Sequence, residues 1–251
     1  MRRDSAAVNT FENAPLETEI ETIDGQRFMV RLIVHPRARR VSVRVCPVRR
    51  QAIATAPSKR MLKHAAEFAA ERAGWLAREL ARLPQGISLT PGARAPLRGR
   101  MCELVYEQGR AAPRFEDGEP PRLIAAAPDP ELFESRLVRF FKVEARSDFT
   151  ARVKEYAEVL QVKPTGIQVK ELRSRWGSCS VGGVLAFSWR VVLAPSFVLD
   201  YLAAHEVAHL REMNHSRRFW TQVRRCLPDY ERGRCWLHEH GAALHSVGMA
   251  R

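Results

Sequence analysis

Long apolar runs, paired cysteines and lysine are what this chain has least of, and each shortage narrows what it can be. No run approaches the roughly 18 apolar residues needed to cross a bilayer, so no membrane span is expected. The opening MRRDSAAVNTFENAPLE has basic residues with no apolar core behind them, which is not the pattern of a secretory signal. Residues 1–17 read as a flexible tail, and a cytoplasmic location is the default expectation. The five cysteines (Cys46, Cys102, Cys179, Cys226, Cys235) are odd in number, scattered, and never at CxxC spacing. That argues against a disulfide framework and a zinc ribbon, and for reduced thiols.

Lysine supplies only six of the 41 basic residues; arginine supplies the rest. Against 28 acidic residues the formal charge is +13. A surplus of that size favours an anionic partner such as nucleic acid, a nucleotide or an acidic peptide. A genome rich in arginine codons would explain it equally well, and the arginines are spread along the chain rather than gathered into one block.

Hydrophobic patterning predicts an α+β protein. RFMVRLIVH, RVSVRVCPV and QAIATAP alternate like strands, and Asp24-Gly25 before them is a hairpin-turn signal. Ser58 looks like the N-cap of one helix reaching about Leu83. Short strands are expected at Met101–Glu107 and Arg122–Ala126. Asp129-Pro130 should start a long helix to about Val162. Then come a strand, a tight turn at Gly182-Gly183, another strand, and three helices from Ser196, Ser216 and Asp229. The expected organisation is a tail (1–17), a strand-rich part with one helix (18–128) and a histidine-bearing domain (129–251).

That last domain carries AAHEVAHLREMNHSRRFW. Residues four apart on a helix stack on one face, so His205 and His209 can aim their rings at one point, the geometry of two corners of a tetrahedral zinc site. Glu206 lies about 100° further round, placed to take a proton from water at the metal. On a continuous helix His215 would face away. The helix should therefore break near Met213, with Asn214 taking a left-handed conformation and Ser216 capping the next helix. His215 is the favoured third ligand, with Glu231, His238, Glu239 and His240 as alternatives. Asp200 reads as a first-turn acid rather than a partner of His205.

RSRWGSCS, SWRVVLAPSFVLDYLAAHEVAHLREMNHSRRFW and CLPDY resemble the YgjP-like metallopeptidase family, related to the SprT and WLM zincins. The resemblance is close over residues 170–230 and looser from about residue 18. It implies a zincin-like C-terminal half, one Zn2+ per chain on His205, His209 and His215, and Glu206 as general base. Ser188 departs from it, standing where an amide is expected.

Val184–Leu193 is either an edge strand able to pair with an extended peptide or an interior strand filling the core. Arg173 and Arg175 are candidate substrate-binding residues, for an oxyanion or a phosphate, with surface ion pairing as the alternative. Cys179 is a candidate fourth, inhibitory ligand, or a buried structural thiol.

The leading expectation is a zinc metallopeptidase acting on a peptide or protein. The alternatives are a metal-dependent nucleotide phosphoanhydride hydrolase (a pyrophosphatase) and a zinc-braced nucleic-acid-binding protein without catalysis.

Overall fold

The computed structural model describes residues 16–47, 49–83, 86–172 and 175–248. The chain forms two compact units, Met1–Leu83 and Pro84–Arg251, both mixing strands and helices.

The first unit is a four-stranded sheet made of β1 (Leu16–Glu21), β2 (Arg27–Val34), β3 (Ser42–Cys46) and β4 (Gln51–Ala56) in the order β1-β2-β4-β3. β2 and β4 run parallel; the outer pairs are antiparallel. Strand alternation gathers Phe28, Val30, Leu32, Val43, Val45, Ala52, Ala54 and Ala56 into one cluster with Ala65, Ala69, Ala73 and Leu76 of two short helices. These are α1 (Leu62–Glu71) and α2 (Ala73–Arg82). They replace the single helix expected from Ser58, because the chain leaves helical geometry at Arg72 (φ −102°, ψ 12°), with the poor helix former Gly74 just beyond. Leu16 and Glu17, expected in the tail, belong to β1, where they pair with Leu32 and Arg31. Residues 1–15 of the expected tail lie outside the described residues.

The second unit starts with a sheet of β5 (Arg94–Leu97), β6 (Arg100–Gln108), β7 (Arg114–Glu116) and β8 (Arg122–Ala127), ordered β5-β6-β8-β7. The long helix α3 (Phe133–Leu160) follows, opened by Asp129 accepting from the Glu131 amide at 2.9 Å and closed by Gln161 at φ 51°. Leu104, Leu123 and Ala125 of the sheet share one core with Phe133, Leu137 and Phe141 of α3. The division between units therefore falls at Leu83/Pro84, not at residue 128, because this sheet packs with the helices that follow it.

Next come β9 (Gly166–Lys170), β10 (Gly177–Cys179) and β11 (Val184–Ser188), ordered β10-β11-β9. β11 is thus the interior strand: of Val184–Leu193 only Val184 is not fully buried, and Trp189–Leu193 is a 3-10 turn. The edge strands are β9 and β10. The buried Arg190 guanidinium clasps Glu171, just after β9, and donates through Nε and Nη2 to the Val247 carbonyl at 3.2 and 3.1 Å.

Helices α4 (Ser196–Ala208), α5 (Arg217–Cys226) and α6 (Tyr230–His245) complete the unit. α4 is sheathed on every side, with Val198, Leu199, Tyr201, Leu202, Ala203, Ala204, Glu206, Val207 and Ala208 all buried. α6 approaches it closely at Gly233, where an added methyl would come 2.9 Å from the Phe197 carbonyl oxygen and collide with the Tyr201 side chain. Gly233→Ala should therefore cost about 1–3 kcal/mol, the usual cost of overpacking a dense contact. Urea unfolding of the variant beside the parent measures this; equal midpoints would show that the crossing is looser than described.

Candidate active site

The break in α4 brings the histidines together. His205 sits in the last turn and His209 is the C-cap (φ −63°, ψ −21°). The last helical residue is Ala208, so the helix ends earlier than the expected break near Met213. Tightened turns follow, with Leu210 donating to the Val207 carbonyl at 3.1 Å and Arg211 and Glu212 to the Ala208 carbonyl at 3.0 and 3.1 Å. Asn214 is not among the described residues with left-handed φ. It contributes its carbonyl instead, accepting from the Ser216 amide at 2.9 Å. Ser216 caps α5, its Oγ accepting from the Phe219 amide at 3.4 Å. Arg211 donates to the Leu160 carbonyl, which ties this turn to the C-terminus of α3.

His215 is thereby returned toward α4. One ring nitrogen from each of His205, His209 and His215 lies within 4.8 Å of the other two, and the Nε2 atoms of His205 and His215 are 3.1 Å apart. His209 Nδ1 is 3.0 Å from the Glu212 carbonyl oxygen. A carbonyl only accepts, so Nδ1 carries the proton and Nε2 keeps its lone pair free. His205 Nδ1 lies 3.4 Å from the Tyr201 hydroxyl.

Burial, reinforced by the neighbouring histidines, pushes His205 down to about 3; burial likewise lowers His209, against the bond to Glu212. Both are neutral imidazoles near pH 7, the form that binds a metal. Phe219, centred 4.8 Å from the His205 ring and 4.5 Å from the His209 ring, walls the cluster with Trp220.

Glu206 is 3% exposed, and its Oε2 has no hydrogen-bond partner among the described residues. Burial pushes its carboxyl up to about 8, opposed by the positive charge of Arg175. A buried carboxylate without a protein donor is costly unless something else meets it. β10 lies directly against it: a methyl added at Gly177 would come 2.8 Å from the Glu206 Cδ. Three converging imidazoles, two of them held neutral by burial, and an unpaired acid fit a borderline divalent cation such as zinc.

Arg175 is exposed, while Arg173 lies outside the described residues. Cys179 is half-buried and outside the histidine cluster; burial, with the nearby Glu206 charge, lifts its thiol. Glu231, His238, Glu239 and His240 are exposed on α6, apart from the cluster. Asp200 pairs with the Arg152 Nε at 2.8 Å. Ser188 is fully buried and its hydroxyl has no partner among the described residues, at the position where the resemblance expects an amide. The reading from sequence missed Gly177, Phe219 and the Glu212 carbonyl, whereas Tyr201 stands on the same helical ladder as His205 and His209. Phe219 had a signal, four residues after His215 on an amphipathic helix; the Glu212 carbonyl is local but depends on the course of the turn, and Gly177 depends on tertiary contact.

Comparison with known proteins places the chain among the metallopeptidases. Its family is YgjP-like: the model of the YgjP-like metallopeptidase domain matches residues 39–240, and the chain belongs to that family. No curated protein matches. Among solved structures, the crystal structure of the metallopeptidase zymogen of Pyrococcus abyssi abylysin is similar over 36% of this chain and 90% of that one, with 20% identity and a TM-score of 0.33. No helix among the described residues is long and apolar enough to cross a membrane.

Gly177→Ala should force the Glu206 carboxylate aside while leaving the histidines in place. Metal content should hold and hydrolysis should fall at least ~10-fold, as expected when a catalytic group is misplaced. Metal analysis and an activity assay on the same sample check this, and unchanged activity would remove β10 from the site.

Proposed function

We propose that the protein is a zinc metallopeptidase in which His205, His209 and His215 hold the metal and Glu206 is the general base. The observation that carries this reading is the convergence of three imidazole nitrogens within 4.8 Å beside a buried, unpartnered carboxylate.

Zinc bound there supplies Lewis acidity, polarising the scissile carbonyl and making water easier to deprotonate. Glu206 Oε2 accepts a proton from the attacking water as its oxygen adds to the carbonyl carbon. It then returns a proton to the amide nitrogen as the C–N bond breaks, so one water is consumed and the products are an acid and an amine. Burial raises the Glu206 carboxyl, whereas the charge of Arg175 and of a bound cation both favour the ionised base. The Glu212 carbonyl holds His209 in its metal-binding tautomer, and Phe219 and Trp220 restrict water on the ring side of the cluster. An extended peptide is accommodated along β10, the sheet edge that lies against Glu206.

Glu206→Gln should retain about one zinc per chain and lose about 10²–10⁴-fold in peptide hydrolysis, the range for removing a general base. Each single His→Ala change should instead lower zinc content. Metal analysis with peptide-library and nucleoside triphosphate assays distinguishes the readings. Triphosphate hydrolysis with no peptide cleavage would favour the pyrophosphatase, and full peptide cleavage by Glu206→Gln would remove the assigned base.

A further inference from the structure

The net charge of +13 is not spread as the cations are. Between Asp24 and Glu67 there is no acidic residue, while nine arginines and two lysines fall in that interval. The rest of the chain is close to balance, thirty basic residues against twenty-eight acidic. Almost the whole surplus therefore falls within this one interval of the first unit, residues 25–66, and what marks it is missing acid rather than clustered arginine.

The topology concentrates this charge further. β2 and β4 are parallel, and β3 runs against β4 with Ser42 opposite Thr55. The start of β3 and the ends of β2 and β4 therefore share one end of the sheet, an arrangement tied by the His35 amide donating to the Ala56 carbonyl at 2.9 Å. Arg37, Arg39 and Arg40 precede β3 there, and Lys59 and Arg60 follow β4 there. All five are exposed, and none has an acidic partner among the described residues. Lys63 is near too, with only an exposed 4.0 Å contact to Glu67. On the sheet face away from α1, Arg31 and Arg44 flank Ile53 from the two neighbouring strands.

Unpaired arginines at this density repel one another unless an anion lies among them, and the guanidinium fork matches phosphate oxygens in pairs. The same surface lacks what other anionic partners use. From Met29 to Glu67 there is no aromatic residue except histidine, so nothing offers the ring platforms on which unpaired bases stack. Nor is there an aromatic anchor of the kind that dominates protein–protein contacts. What remains is recognition of backbone charge alone.

We propose that the basic end of the first unit's sheet binds the sugar–phosphate backbone of a nucleic-acid duplex, independently of base sequence, at a site separate from the histidine cluster. Five phosphate contacts give a slope of about −4.5 in log K against log salt concentration. The test uses the full-length protein, fluorescent 25-base-pair duplexes of DNA and RNA, the matching single strands, and a poly-glutamate peptide, titrated from low to physiological salt.

Duplex binding with that slope is expected, weakened on the order of 10²-fold by Arg39→Glu/Arg40→Glu/Lys59→Glu, with the slope falling to about −2. The exposed triple Arg110→Glu/Arg139→Glu/Arg146→Glu changes the total charge equally and should leave most binding intact. Zinc content and peptide hydrolysis of both triples should match the parent, which separates failure of this proposal from failure of the catalytic one. Equal loss in the two triples would reduce the effect to overall charge and overturn the site. So would binding that survives the first triple, or single strands or poly-glutamate that bind as tightly as duplex.

Discussion

Everything at the candidate active site depends on how closely other elements approach α4. A helix buried on all sides ordinarily presents only apolar groups, yet this one carries Glu206 in its last turn. The carboxylate is tolerated because β10 meets it with a residue that has no side chain, leaving room for the acid without giving it a donor. At the other end of the helix α6 comes equally near through Gly233. Dense packing around α4 thus sets where the acid and the imidazoles stand, to the precision that catalysis needs.

The same packing sets their protonation. Removing water from His205 and His209 favours the neutral rings, and removing it from Glu206 favours the neutral acid. The protein therefore carries a cluster of lone pairs and an unpaired carboxyl whose burial costs stability. Arg175 offsets part of this from the surface, and a cation held by the imidazoles offsets more. Metal affinity and folding stability are coupled in such a site, since the free energy that the buried groups cost the empty fold is recovered when the ligand arrives.

Much of the site was legible because it is local. The i, i+4 spacing of His205 and His209, the place of Glu206 between them and the cap at Ser216 all follow from helix geometry, and so does the need for a break before His215. The manner of the break was not legible: hydrogen bonds back to Val207 and Ala208 tighten the turn, so Asn214 needs no left-handed backbone. β1, β5 and β7 escaped notice because short strands are decided by partners distant in sequence. The limit of the first unit was misplaced for the same reason, since only tertiary packing shows which core β6 and β8 join. The acid-free interval was visible all along, but counting cations by their spread conceals it.

The bond between His209 and the Glu212 carbonyl has a further consequence. The group that orients this imidazole belongs to the backbone, so no substitution at residue 212 deletes it as long as the chain keeps its course. The side chain at residue 212 can therefore vary while the path of the turn is fixed by the helix end behind it, the Arg211 bond to the Leu160 carbonyl and the Ser216 cap ahead. Orientation of the imidazole is inherited from the shape of the turn, not from its composition.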